Sequence, residues 1–366
     1  MALKVLCLRA DYGGCSKYRL VEPIEEIIRQ GFDVDVRIDE DLSVDAEKTI
    51  HGRTHEYEVF EIQEDIDLLV LQRPLNNSMY AVALQAKKQG IALVVELDDD
   101  LDTVHPDNGA YRGVHPKYSP NSNYEWVWKI CALADLVTVS TPRLTRWGSE
   151  VGVEAVVLRN CIPDHIFDTP PDANFATSAG LGWSGTVSTH PTDLTQPGDA
   201  IARVLRKTGK DFHVVGDGNG VWYQLGLHQD TNVHPSGWVD LDLYMDALKK
   251  NLRVGIVPLE MSYFNEAKSN LKGLEMASLG IPFIASPTSE YKFLADLGVG
   301  QLASTPDEWY KMLNRLLTDD RKAYMLGQRY RKIVGENFRY SQHAHKWFTA
   351  WEKAVQNSKS KQSVLV

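Results

Sequence analysis

Cysteine pairs, a surplus of basic residues and long apolar runs are all missing from this 366-residue chain, and each absence removes a class of protein. The four cysteines, Cys7, Cys15, Cys131 and Cys161, contain no Cys-x-x-Cys pair, so neither a disulfide framework nor a zinc site is expected. A reducing cytoplasm is the natural compartment. Asp and Glu outnumber Lys and Arg by 49 to 39, a net charge of −10, whereas a duplex nucleic-acid binder turns a cationic surplus toward phosphate. No apolar run approaches the ~18 residues that span a bilayer. The opening MALKVLCLRA lacks the long apolar centre and small-residue cleavage site of a signal peptide.

What is present is the composition of a folded protein: 43% hydrophobic and 24% charged residues suffice for ordinary cores. The length suits two domains of roughly 150–180 residues each. Through the first 160 residues apolar runs alternate with amphipathic stretches. Strands are expected at Val5–Leu8, Phe32–Ile38, Ile66–Leu71, Ala92–Leu97, Leu136–Ser140 and Ala155–Leu158, with helices at about 17–30, 79–89, 122–134 and 142–150. Continuous runs such as DLLVLQ and ALVVEL suit parallel strands buried on both faces, the pattern of a doubly wound α/β domain. Residues 161–180, rich in Pro, Asp, Ala and Ser, read as a linker. A second series follows, with strands at Leu181–Ser184, Phe212–Val215, Val254–Val257 and Pro282–Ala285 and helices near 197–208, 240–250, 270–279 and 305–317. The final amphipathic stretch YSQHAHKWFTAWEKAV gathers Trp347, Phe348 and Trp351, an aromatic stripe that needs a surface to dock on.

Four loops at expected strand ends carry candidate chemistry. Gly13 and Gly14, between a strand and a helix, either let backbone N–H groups approach a phosphate or sugar or form a plain tight turn; they are not the full dinucleotide fingerprint. VVELDDDLDTVHPDNG places Asp98, Asp99 and Asp100 at a strand end with His105 shortly after. These side chains orient acceptor hydroxyls, hold a divalent ion, or form a solvated acidic loop with capping duties. In GWSGTVSTHPTDL, Gly185 and Thr186 turn the chain toward His190, a phosphate or sugar contact or else a helix-capping residue. Gly216 in VVGDGNG turns the chain and is placed to line the same crevice.

The densest signal is FNEAKSNLKGLEMASLGIPFIAS. Lys268, Lys272 and Glu275 stand at offsets of 0, 4 and 7, on one face of a helix that Ser269 or Asn270 can cap and Gly280 ends. An anion at that N-terminus, over the backbone of Ser269, Asn270 and Leu271, meets the helix dipole and two ammonium groups. At an effective dielectric of ~20 each lysine within ~4 Å contributes on the order of 4 kcal/mol before desolvation. A bland ion pair between Lys272 and Glu275 is worth only ~0.3 kcal/mol. With a diphosphate at the helix end, Glu275 falls where a ribose would sit.

This segment resembles the donor-binding segment of nucleotide-sugar-dependent glycosyltransferases of the GT-B fold, in particular the retaining, family-4-like "group 1" enzymes. Glu275 matches the second glutamate of their Glu-x7-Glu pattern, and Gly280-Ile281-Pro282-Phe283-Ile284-Ala285 matches the strand that follows. The pieces SKYRL, LVLQRP, VVELDDDL, ADLVTVSTP, VVLRNCIP and GWSGTVSTHPTDL are similar to a divergent branch of the same superfamily, so the likeness spans most of residues 3–355. The first glutamate is replaced by Ala267, with Glu266 one residue out of register, and TVSTHPTDLTQPGD lacks the usual basic pair, which hands that charge to Lys268 and Lys272.

The resemblance implies two Rossmann-like domains facing a cleft. They are an acceptor domain at 1–165, a donor domain at 166–337, and a crossover helix within 338–366 that packs back on the first. It implies transfer from a UDP- or GDP-sugar to a hydroxyl acceptor (protein, glycan, lipid or modified nucleobase) with retention and without a divalent metal. Lys268, Lys272, Asp99 and His105 would serve the chemistry. Glu275, Ser269, Asn270, Leu271, Gly13, Gly14, Gly185, Thr186, His190 and Gly216 would hold the donor. A sugar-nucleotide epimerase and a noncatalytic nucleotide-sugar-binding scaffold stand as the alternatives.

Overall fold

The computed structural model describes residues 2–38, 44–51, 54–169, 180–227 and 232–364. Val- and Leu-rich runs in the first half form a parallel sheet in the order β2-β1-β5-β6-β7-β8: β1 Leu3–Leu8, β2 Val34–Ile38, β5 Leu68–Gln72, β6 Ala92–Leu97, β7 Leu136–Val139 and β8 Ala155–Val157. Every residue of β5, β6 and β7 is buried, as helices on both faces require. The register Val5↔Leu68, Val70↔Val94 and Val95↔Val137 aligns the strand C-termini on one edge. Strand order reverses between β1 and β5, which opens a crevice there. The numbers β3 (Val44–His51) and β4 (Thr54–Ile62) belong to an antiparallel hairpin outside this sheet.

The second half repeats the plan. Its order is β11-β10-β9-β12-β13-β14, all parallel: β9 Gly180–Ser184, β10 Phe212–Val215, β11 Val233–Pro235, β12 Leu252–Val257, β13 Phe283–Ala285 and β14 Gln301–Leu302. Here the reversal lies between β9 and β12, so the loops after Ser184 and Val257 flank the second crevice. Residues 170–179 of the expected linker lie outside the described residues.

The helix His345–Val364 returns to the first sheet. Trp347 and Trp351 are buried, Trp347 Nε1 donates to the Arg19 carbonyl at 3.0 Å, and Asn357 Nδ2 donates to the Asp135 carbonyl at 3.0 Å. Two buried indoles supply up to roughly 4–6 kcal/mol each by area, an upper bound that explains why the stripe has to dock. Among the described residues no helix is long and apolar enough to cross a membrane.

Besides elements that were not expected, such as the helices Ser289–Asp296 and Asp320–Asn337, three departures from the sequence expectations bear on how the halves are built. The β3–β4 hairpin was not expected; it packs through Val59 and Ile62, and the backbone of Ile62 exchanges hydrogen bonds with the Gln89 side chain. The helix expected over 17–30 is a short turn at Gly14–Ser16, a π-helical turn at Lys17–Val21 and an α-helix at Glu22–Arg29. The helix that was to carry Lys268, Lys272 and Glu275 on one face is broken into Tyr263–Ala267 and Leu271–Ser278.

Candidate functional site

The C-terminal edges of the two sheets face each other, and between them lies a cavity of about 210 Å³. Gly14, Asp98 and Asp99 line it from the first domain, and His190, Lys268, Ser269, Leu271 and Lys272 from the second. Residues more than 250 positions apart in the sequence therefore meet because each sits just beyond a strand end.

On the second-domain wall the Ser184-Gly185 turn ends β9. Gly185 has φ +144, and a Cβ there would lie 2.9 Å from Lys272 Nζ. Gly216, after β10, has φ +131, and its Cβ would come within 2.2 Å of the Gly185 carbonyl oxygen. Both positions need glycine because the two turns touch. Lys272 Nζ lies 3.3 Å from His190 Nε2, and His190 Nδ1 lies 2.6 Å from Asp193 Oδ2. A carboxylate can only accept, so the imidazole proton is on Nδ1 and Nε2 is left to accept from Lys272. Burial first, then the Lys272 charge, holds His190 well below its ordinary pKa, so the ring is neutral. Burial opposes the Asp193 charge, but bonds from His190, the Glu260 N–H and Asn265 outweigh it and keep the carboxyl below the usual range. Lys272 thus has a neutral ring as its neighbour, and burial followed by the charge of Lys268 lowers it to about 8. Thr186 bonds Thr189 Oγ1 through its carbonyl and belongs to the turn, outside the cavity lining.

The helix break reshapes the opening motif. Ser262 caps Tyr263–Ala267 from the Asn265 N–H, Thr141 Oγ1 of the first domain donates to the Ala267 carbonyl at 2.8 Å, and Lys268 follows in extended backbone. Asn270 then occupies the N-cap position of Leu271–Ser278, but its side chain donates to the Glu290 carbonyl and does not cap the helix, while the Gly273 N–H of the first turn bonds the Tyr291 hydroxyl. Ser269 instead accepts from Asn160 Nδ2 at 2.9 Å. The expected side-chain cap is therefore absent, and the first turn, with Lys272 beside it, opens on the cavity.

Glu275 is buried and accepts from the Tyr244 hydroxyl at 3.2 Å, so it is no surface ion-pair partner. Burial pushes its carboxyl up to about 7 even though the Tyr18 and Tyr244 hydroxyls beside it pull the other way. Ala267 is fully buried, and Glu266 accepts from the backbone and hydroxyl of Ser289, away from the cavity lining.

The first-domain wall is neutralised by its own ion pairs. Gly13 donates to Asp11 Oδ1 at 2.7 Å, Asp11 Oδ2 pairs with Arg73, and Arg73 Nε stands 3.6 Å from Asp98 Oδ1. Among the described residues Arg73 is the only non-glycine with positive φ (42°), a conformation that costs roughly 1–2 kcal/mol and ties the glycine loop to the acidic turn. Asp99 receives Lys268 Nζ at 3.3 Å across the cleft. Burial opposes the Lys268 charge, but Asp99 outweighs it and raises its pKa. His105 is half exposed, accepts the Asp107 N–H at Nδ1 and lies outside the cavity lining.

Sequence reasoning assigned no role to Tyr18, Arg19, Asn160 or Tyr291, which also line the cavity. Arg19 is buried on Glu96 at 2.7 Å, with one terminal nitrogen lacking a partner. The signal for the first pair was the SKYRL string itself, whose spacing gives no hint of a π turn.

No protein-family model matches the sequence, and no curated protein matches it. Solved structures do. HepE of Anabaena in complex with UDP matches at TM-score 0.60 and 14% identity, over 95% of this chain and 99% of that one. Sucrose-phosphate synthase from Thermosynechococcus elongatus matches at TM-score 0.59 and 15% identity over 96% and 98%. The E. coli trehalose-6-phosphate protein bound with UDP-2-fluoro glucose matches at TM-score 0.59 and 12% identity over 96% and 99%. The likeness spans nearly the whole chain and establishes that it has the two-domain GT-B fold.

Proposed function

We propose that the protein transfers a sugar from a nucleoside-diphosphate sugar to a hydroxyl acceptor, with retention of configuration. The observation that carries this reading is the second-domain wall: a helix start that its N-cap residue leaves uncapped, beside a lysine whose neighbour is a neutral imidazole. That is a place built for an anion. HepE was solved with UDP and with UDP-glucose, and the E. coli protein with UDP-2-fluoro glucose, ligands of this class.

In this scheme Lys272, Lys268 and the first turn of the Leu271–Ser278 helix meet the charge that grows on the leaving diphosphate, and Gly14 adds backbone N–H. Gly185 and Gly216 let the backbone come close. The anomeric carbon–diphosphate oxygen bond breaks while the acceptor oxygen bonds to the same face. The acceptor proton passes to the departing phosphate oxygen, so no enzyme nucleophile is required. Asp99 orients the acceptor once Lys268 has turned to the diphosphate, which fits their 3.3 Å pairing across the cleft. Glu275 takes the ribose hydroxyls. His105, outside the cavity lining, has no part in this scheme.

The noncatalytic alternative draws on one observation, the buried Ala267 where the family's sugar-reading glutamate would stand. Incubation with a panel of UDP- and GDP-sugars separates the readings. Slow release of free nucleoside diphosphate is the expected result. An isomerised donor would point to epimerisation, and binding without turnover to a scaffold.

A further inference from the structure

The cleft cavity, at about 210 Å³, is small against the ~300–1,000 Å³ of typical ligand sites, and a nucleotide sugar has a base, a ribose, a diphosphate and a sugar to place. A second cavity of about 620 Å³ lies alongside, between Lys17 and Glu22 of the first domain and Leu241, Tyr244 and Met245 of the second. The two linings have one residue in common, Tyr18.

Tyr18 is buried. Its hydroxyl stands 4.0 Å from Met245 Sδ and lies beside the Glu275 carboxyl across the domain interface. Tyr244 donates to the same carboxylate from the second domain. The backbone beneath Tyr18 is the π-helical turn Lys17–Val21, held by the Tyr340 hydroxyl on the Tyr18 carbonyl and by Trp347 Nε1 on the Arg19 carbonyl. An anchored backbone with a side chain between two cavities leaves rotation about the Tyr18 side-chain bonds as the available motion. π turns of this kind are frequent at functional positions.

We propose that Tyr18 is the gate of the donor site: its phenol holds the place of a ribose hydroxyl on Glu275, and its ring partitions a single nucleotide-sugar site into two cavities. The inference rests on the donor reading above. On entry the ring swings aside and the vicinal ribose hydroxyls replace the phenol on Glu275. The planar base then takes the larger cavity and the diphosphate the smaller one. Tyr18 thus competes with the nucleoside half of the ligand and is indifferent to the diphosphate half.

The test is calorimetric titration of the full chain with UDP, GDP and inorganic pyrophosphate, comparing wild type with Tyr18→Phe and Tyr18→Ala. Tyr18→Phe keeps the ring and its packing, so a thermal melt alongside verifies the fold where Tyr18→Ala loosens it. Loss of one competing hydroxyl predicts about fivefold tighter nucleotide binding in Tyr18→Phe, with pyrophosphate affinity unchanged. Weaker or unchanged nucleotide binding overturns the gate, as does an equal gain for pyrophosphate. Should wild type bind neither nucleotide while folded, the donor reading itself fails and the gate falls with it; a gate that fails alone leaves wild-type binding intact.

Discussion

The two strand-order reversals present the same architecture to the cleft with opposite electrostatics. On the first domain most of the acidic turn is matched at home: Asp11 and Asp98 share Arg73, and Asp100 and Asp102 share Arg146 at 2.6 and 2.8 Å. On the second, Lys272 faces a neutral His190, and the N-cap residue leaves the helix start beside it uncapped. A βα edge has no fixed preference; side-chain pairing decides whether it offers hydroxyl-orienting carboxylates or an anion cradle. Lys268–Asp99 at 3.3 Å is the contact within the cavity lining in which the second wall lends a charge to the first.

The comparison breaks most directly at Lys272. If the second wall meets the leaving diphosphate, Lys272→Ala lowers turnover about 100-fold, comparable to loss of one oxyanion donor. Nucleoside diphosphate release measures it, and an unchanged rate would remove the distinction between the walls. Next in size is Gly216→Ala, which drives a Cβ to within 2.2 Å of the Gly185 carbonyl at a positive φ. A stability loss of about 2 kcal/mol is expected by denaturant titration, since neither backbone can yield. A third prediction sharpens the comparison at its crossing point. Lys268→Ala lowers turnover about tenfold, because its charge acts on the diphosphate, whereas Asp99→Asn costs less. Equal losses, with a double variant no worse than either, would make the pair a mere domain tie.

Much of this arrangement was legible beforehand because strand ends are legible. Runs such as LLVLQ and ALVVEL announce strands buried on both faces, and the residues following them, Gly14, Asp99, Gly185, His190 and Gly216, fall near the cleft by topology alone. The hairpin was opaque because VDAEKTIH and THEYEVFEI carry a charge at nearly every second position, and among their described side chains only Val59 and Ile62 are buried. The break at Lys268 was opaque for a different reason. No Gly or Pro marks it, and the short preceding helix is fixed by Ser262 at one end and by Thr141, far away in sequence, at the other. Tyr18 was opaque because a π turn rotates the face that a 3.6-residue period assigns to it.

The smallest expected effect isolates the second wall by its protons. Burial and Lys268 hold Lys272 at about 8, below the ordinary lysine value, so near pH 8 part of the population has lost the ammonium proton. A bound diphosphate favours the charged form and raises that value, so binding takes up a fraction of a proton near pH 8 and affinity falls as pH rises through that region. His190 and Asp193 are held below their ordinary ranges and Lys268 above its own, so they stand apart from this region; Glu275, at about 7, is close enough to add to the uptake, and Glu275→Gln separates its share from that of Lys272. Titration of UDP at pH 8 in buffers of different ionisation enthalpy reads the uptake as a buffer-dependent heat. Lys272→Met should cut that dependence sharply, whereas Asp98→Asn on the neutralised first wall should leave it in place. A wild-type heat independent of buffer would mean that Lys272 keeps its proton without the anion, and the electrostatic contrast between the two walls would have to be carried by the helix terminus alone.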